Sequence, residues 1–194
     1  VCMVIQNLRS GGVSRCWRDD LSEMRTPPFE AGEDVAIVSY FAPAEVQSML
    51  ALDWDIDVSV IDLFAEFRCQ TNGNPDIGRK SLVSALQLYG LEQFIPEEKD
   101  SMRDLILSGD PWSEAQRSAI LDYCQQDVVA LGPLLNAMLR HAPWSELQFN
   151  QALLRGRYMK AVGAMQHRGI PIDLGLLDKL NANWEDIKLN LIEN

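Results

Sequence analysis

SEAQRSAILDYCQQDVVALGPLLNAMLRH, from Ser113 to His141, reads as one amphipathic helix. Ser113 and Gln116 have the spacing of a capping box, in which a hydroxyl and a side-chain amide satisfy each other's exposed backbone N–H groups. Behind that cap Ile120, Leu121, Cys124, Val128, Leu131, Leu134 and Leu135 recur every three or four residues, which lines one helix face with apolar side chains. Tyr123 and Asp127 are four apart and leave the helix on one side, a turn from each other. Two readings of that pair stand side by side. One is a tyrosine and an aspartate on a solvated face; the other is a phenol above a carboxylate, placed to hold a metal and aim a water.

Outward from this helix, length and composition narrow the choices. The 194 residues suffice for one well-cored domain with some chain left over for an extension. An apolar content of 47% and a charged content of 23% are those of an ordinary soluble protein. No apolar run approaches the roughly 18 residues that cross a bilayer, so no membrane partner is expected. Cys2, Cys16, Cys69 and Cys124 are far apart in the chain and form no C-x-x-C, which predicts free thiols in a reducing, cytoplasmic setting. The net charge is −11. Residues 1–100 hold 8 basic against 17 acidic residues, a net of −9, and residues 101–194 hold 9 against 11, a net of −2. That balance does not make a general polyanion-binding surface. It suits acids that gather metal ions, a DNA grip placed elsewhere, or simply an acidic surface.

Taken in order, Val1–Leu8, the turn Arg9-Ser-Gly-Gly12 and Val13–Trp17 predict a β-hairpin. A polar loop is expected through Asp34. Val35–Phe41 is the continuous apolar run of a buried strand. Pro43 sits where a helix would begin, with Glu45 in its first turn. Glu45 thus lies just past a central strand, where open α/β sheets tend to place their sites; the other reading is a first-turn acid favoured by the helix dipole. Asp53, Asp55 and Asp57 lack the glycine and distal Glu of a calcium loop and read as solvated acids. Val58–Phe64 is the next strand, interrupted by Asp62. A loop at Asn72–Pro75, a short helix over Lys80–Tyr89, and a linking segment with Lys99 and Arg103 lead to the central helix. After Pro143 a second long helix runs from Ser145 to His167, carrying Arg155, Arg157 and Lys160, with Arg168 just beyond. Gly169 ends it, Ile170–Asp173 is an extended bridge, and a last helix runs from Leu174 to about Ile192. No internal repeat or low-complexity segment interrupts the pattern. The sum is an α/β sheet flanked by helices.

An acid after a buried strand (Glu45), an Asp near the next strand (Asp62) and Y-x-x-x-D on a later helix resemble, in that order, the DEDD 3′–5′ exonuclease superfamily in its tyrosine-bearing subclass. The stretch Leu154–Asp173, LRGRYMKAVGAMQHRGIPID, looks like the helix and R-G-x-x-x-D turn that join the proofreading exonuclease to the polymerase in family A DNA polymerases. The resemblance implies a ribonuclease H-like mixed sheet, with an exonuclease-like domain over residues 1–143 and a helical connector towards a polymerase thumb over residues 144–194. It implies Asp127 as a direct metal ligand, Tyr123 as the residue that orients the attacking water, and Glu45 in the place of the second-motif aspartate, also on metal. The asparagine usual four residues before that acid is Phe41 here. Two ions, Mg2+ or Mn2+, would serve the complete site, because phosphodiester hydrolysis needs both an activated water and charge compensation at the leaving oxygen. The expected partners are a single-stranded DNA 3′ end and a polymerase domain, with bases stacked on aromatic groups such as Tyr40, Phe41 or Phe64.

The family's first-strand D-x-E has no counterpart in a comparable strand here. The chain as written is therefore expected to be inactive on single-stranded DNA, with its first strand short of a neighbour. Two rivals stand beside this expectation: a lapsed exonuclease fold that braces the polymerase or positions DNA, and a stand-alone RNase D-like nuclease, against which the Arg168–Asp173 connector argues.

Overall fold

A computed structural model describes residues 2–32, 34–54, 57–95 and 99–193. Val1, Asp55 and Asn194 lie outside the described residues. The architecture is α/β, as expected, but the described strands form two separate pairs in place of one continuous sheet. The first pair is the expected hairpin, β1 (Cys2–Gln6) antiparallel to β2 (Val13–Trp17), with Met3 opposite Cys16. Its turn is set by Asn7 as much as by glycine. The Asn7 Oδ1 accepts from the N–H groups of Arg9 and Ser10 at 2.9 and 3.0 Å, and Gly11 takes the φ of 77° that closes the loop.

The second pair is parallel: β3 (Ala36–Ser39) runs beside β4 (Ser59–Asp62), with Ser39 opposite Asp62. Parallel neighbours require a crossover, and helix α2 (Ala42–Ala51) supplies it. Pro43 falls in its first turn as predicted, where the missing N–H costs nothing. The D-W-D-I-D segment matches its reading where it is described: Asp53 and Asp57 are exposed, while Trp54 is buried and donates from Nε1 to the Met24 carbonyl at 3.1 Å.

The chain departs from expectation after two of its strands. The strand expected over Val58–Phe64 stops at Asp62, and the chain passes at once into a helix, α3 (Leu63–Gln70). Asp62 does not interrupt the strand; it caps the helix. The segment after β2, expected as loop, contains the short α1 (Arg18–Glu23), and the linker with Lys99 and Arg103 forms α5 (Lys99–Ser108). The short helix near Lys80 is α4 (Leu82–Leu88), capped by Ser81.

The central helix α6 (Glu114–His141) begins as its sequence dictates. Ser113 N–H donates to the Gln116 amide oxygen at 2.8 Å, and Gln116 N–H donates to the Ser113 hydroxyl at 3.3 Å. The helix continues through Pro133. Ala130, Leu134 and Met138 on its buried face meet Ile61 of β4, Leu63 and Phe67 of α3, and Leu86 of α4 in the largest apolar cluster. Helix α6 also lies against β1.

Helix α7 (Glu146–Arg168) packs on α2 and β4 through the stripe Ala152, Gly156, Met159, Gly163, spaced four, three and four. Small residues here are a steric requirement. A Cβ on Gly156 would overlap the Val60 carbonyl, and one on Gly163 would lie 2.8 Å from Val46 Cβ and 3.1 Å from Pro43 Cα. Arg155, beside this stripe, makes a bidentate pair with Glu66 of α3, at 2.6 and 2.7 Å. The Glu66 side chain is 3% exposed.

Beyond Gly169 the single last helix of the sequence reading is two, α8 (Leu174–Ala182) and α9 (Trp184–Glu193), parted at Asn183. Neither contributes a buried residue. No helix among the described residues is long and apolar enough to cross a membrane.

Candidate functional site

The parallel pair ends in two acids, one after each strand, and their surroundings differ. β3 leaves the sheet through Phe41, which takes the left-handed conformation (φ 79°, ψ 62°) and turns the chain straight into α2. This brings Glu45 into the first turn, half-buried, with its Oε2 shut off from solvent and without a hydrogen-bond partner. Burial disfavours the carboxylate, its own backbone N–H offsets part of that, and the nearby Asp62 charge adds to the rise. The Glu45 carboxyl is pushed up to about 7. It is a carboxyl poised to exchange a proton near neutrality.

Asp62, almost fully buried, is satisfied instead. Its Oδ1 accepts from the N–H groups of Phe64 (2.8 Å), Ala65 (3.2 Å) and Phe41 (3.2 Å), and its Oδ2 from Ala42 (2.8 Å). Three donors crowd Oδ1 and one meets Oδ2, so most of the carboxylate's acceptor capacity is taken by backbone. Asp62 therefore ties the N-termini of α2 and α3 together at the C-terminal end of the sheet, and has little left to offer an external ligand.

Tyr123 and Asp127 lie one turn apart on α6, both half-buried, as their spacing requires. Glu45 lies within electrostatic reach of Asp62, whose charge helps to raise its pKa, while Asp127 stands on α6 with Tyr123. Two hydrolytic metal ions would need carboxylates converging from several elements. Among the described residues no three His, Cys, Asp or Glu side chains converge so as to hold a metal ion. Glu45, with its partnerless oxygen, has the chemistry of a ligand, but Glu45, Asp62 and Asp127 together do not fit a two-ion centre.

Three aromatic side chains surround the same turn. Tyr40 and Phe41 each meet Phe64 edge-on, with centroids 5.9 and 5.4 Å apart. Tyr40 is anchored by its hydroxyl, which donates to the Lys80 carbonyl at 2.8 Å, and burial pushes its phenol pKa up. Phe64 packs towards Ala42, Val60 and Met159. Phe41 is left 39% exposed. Next to Phe64 a cleft of about 390 Å³ is lined by Arg68, Asn72, Asn74 and Lys80, with the Arg68 guanidinium 5.5 Å from the Phe64 ring centre. Sequence reasoning missed Arg68 and Lys80. Arg68, next to Phe67, had a local signal; Lys80 has no aromatic neighbour in sequence and reaches the cleft only through the fold. The chain matches no protein-family model, no curated protein and no solved structure.

Proposed function

We propose that this chain is the 3′–5′ exonuclease-type module of a family A DNA polymerase-like protein, ribonuclease H-like in fold, working in the cytoplasm on single-stranded DNA 3′ ends. The observation that carries this reading is Glu45, a half-buried acid with a bare oxygen at the C-terminal end of a parallel strand pair. Tyr123 and Asp127 supply the helix-borne half of the site. The exposed Phe41 face, with Arg68 and Lys80 beside Phe64, offers stacking and phosphate contacts to an unpaired strand. Residues 1–143 form the nuclease body and 144–194 the connector towards a polymerase domain. The ions that this chemistry uses, magnesium or manganese, would need carboxylates beyond the three acids described.

That shortfall favours a second reading, a scaffold that positions DNA without cutting it. The two separate on one assay: mononucleotide release from a labelled single-stranded oligonucleotide, with magnesium and with manganese. The full gene product should shorten the 3′ end, and Asp127→Ala and Glu45→Ala should each abolish this. Tyr123→Phe should retain DNA binding while turnover falls by roughly 10²–10⁴, the range for a lost positioned proton-transfer group. The 194-residue chain alone should be inactive. A full gene product that binds DNA and never shortens it would establish the scaffold instead.

A further inference from the structure

Helix α7 carries stripes on two opposite sides. One, Ala152 to Gly163, is clamped on α2 and β4. The other, Leu147, Gln151, Leu154, Tyr158, Ala161 and Met165, is exposed at every position. Its residues are spaced four, three, four, three and four, which is the a/d seam with which one coiled-coil helix meets another. A second seam of the same period follows Gly169. Leu177, Leu180, Trp184, Ile187 and Leu191 are spaced three, four, three and four, and all but the half-buried Ile187 are exposed. The break between α8 and α9 leaves its register intact. Asn183 N–H donates to the Lys179 carbonyl at 3.2 Å, and the Asn183 carbonyl accepts from Ile187 N–H at 3.0 Å, so helical hydrogen bonding runs through.

We propose that the bare face of α7 receives the α8–α9 arm of a second copy of this chain, two copies exchanging arms in a symmetric dimer. The two seams are complementary in length and in charge. At about 1.5 Å per residue they run roughly 27 and 21 Å. Residues 146–168 hold four basic against one acidic residue, a net of +3, and residues 173–193 hold two against five, a net of −3. Arg155 and Lys160 are drawn inwards by Glu66 and the Val58 carbonyl. Arg157 lies exposed on the flank of the seam, where coiled coils place the charges that set partner choice, and the arm offers Asp178, Glu185 and Asp186, all exposed. Within one chain the seams do not meet, since neither α8 nor α9 contributes a buried residue and the α7 stripe is bare. A second copy offers both surfaces at once. Each copy's α7 then covers the other's arm, the same contact is buried twice, and a two-fold arrangement closes with two chains. The nuclease chemistry uses none of these residues, so the pairing stands apart from that reading.

The 194-residue chain is centrifuged to sedimentation equilibrium from low to high micromolar concentration, with circular dichroism as the check on folding. A mass of twice the 21.8 kDa of one chain is expected at the upper end, and it should fall back as salt is raised. Tyr158→Glu on α7 and Leu180→Glu on the arm replace exposed side chains, so each should keep the helical spectrum. Each should also weaken the dimer roughly 30-fold or more, as the loss of a central seam contact does. Mixed in equal amounts, the two variants should recover a dimer weaker than wild type, because the intact arm of one meets the intact α7 of the other. A chain carrying both substitutions should pair with neither. A mass of 21.8 kDa at every concentration overturns the proposal, whether the arm then folds on its own α7 or serves a different protein. So does a dimer that survives Leu180→Glu, which would be joined through another face, or a mixture of the two variants that stays monomeric.

Discussion

The two strand-to-helix turns at the end of the parallel pair have similar parts and opposite outcomes. Each carries an acid and leads from a strand of the parallel pair into a helix, although β3 is only partly buried and β4 largely so. After β4 the acid is the cap itself, and Asp62 spends its lone pairs on four backbone donors. After β3 the turn is made by the backbone of Phe41, in a conformation that costs a residue other than glycine roughly 1 kcal/mol. The acid there, Glu45, sits a turn further on with one oxygen satisfied by nothing. A carboxylate used to hold the fold is withdrawn from chemistry, and one excused from holding the fold is available to it.

The contrast breaks most sharply at Asp62. Asp62→Ala would leave four backbone N–H groups without their acceptor at a buried site, and should cost about 3–5 kcal/mol of stability in chemical denaturation. If the loss is under about 1 kcal/mol, the cap is not holding the two helices. Glu66→Gln is the next largest. It leaves the Arg155 guanidinium facing a neutral amide, and the pair's value is discounted because Arg155 is 32% exposed. A loss of about 1–3 kcal/mol, smaller in high salt, is expected from the same measurement.

Glu45 should make stability depend on pH. Its folded pKa of about 7 lies above the ordinary 4.5, so its contribution to stability is complete below about pH 4.5 and is lost as pH rises through 7. Wild-type protein should therefore weaken by about 1–3 kcal/mol between about pH 5 and pH 8 relative to Glu45→Gln, whose profile should be flatter. Parallel profiles would mean that the carboxyl is solvated. The smallest effect belongs to Phe41→Gly. Relief of the left-handed conformation and loss of the ring contact with Phe64 nearly cancel, and stability should change by less than about 1 kcal/mol.

How much of this was legible depends on where the information resides. The caps of α6 and α7 and the hairpin turn are local, written in neighbouring residues, and Ser113, Ser145 and Asn7 meet their partners three or so positions away. The start of α3 was hidden because β4 and α3 abut without a loop. Leu63, Phe64 and Phe67 are apolar under either period, and only the preference for Asp as a cap marked the boundary. Helix α1 is too short to show an apolar period, whereas α5 carries one in Met102, Leu105 and Ile106, which the sequence reading passed over as a linker. For the site, the Tyr123–Asp127 spacing and the position of Glu45 were readable. The bare Glu45 oxygen and the backbone donors gathered by Asp62 were not, because each depends on elements far apart in the chain.

The glycine stripe of α7 has a mechanical meaning. At about 1.5 Å per residue, its 23 residues make a rod roughly 35 Å long. The rod is clamped along Ala152–Gly163, where its backbone touches the Val60 carbonyl and the Pro43–Val46 turn with no side chain to act as padding. Past the clamp the rod continues to Gly169, tied once more to α2 where Gln47 Nε2 donates to Gln166 Oε1 at 2.9 Å. A slight rolling of α2 or β4, the elements that carry Glu45 and Asp62, would therefore carry α7 with it. Whatever is fastened beyond Gly169 is steered from the strand ends.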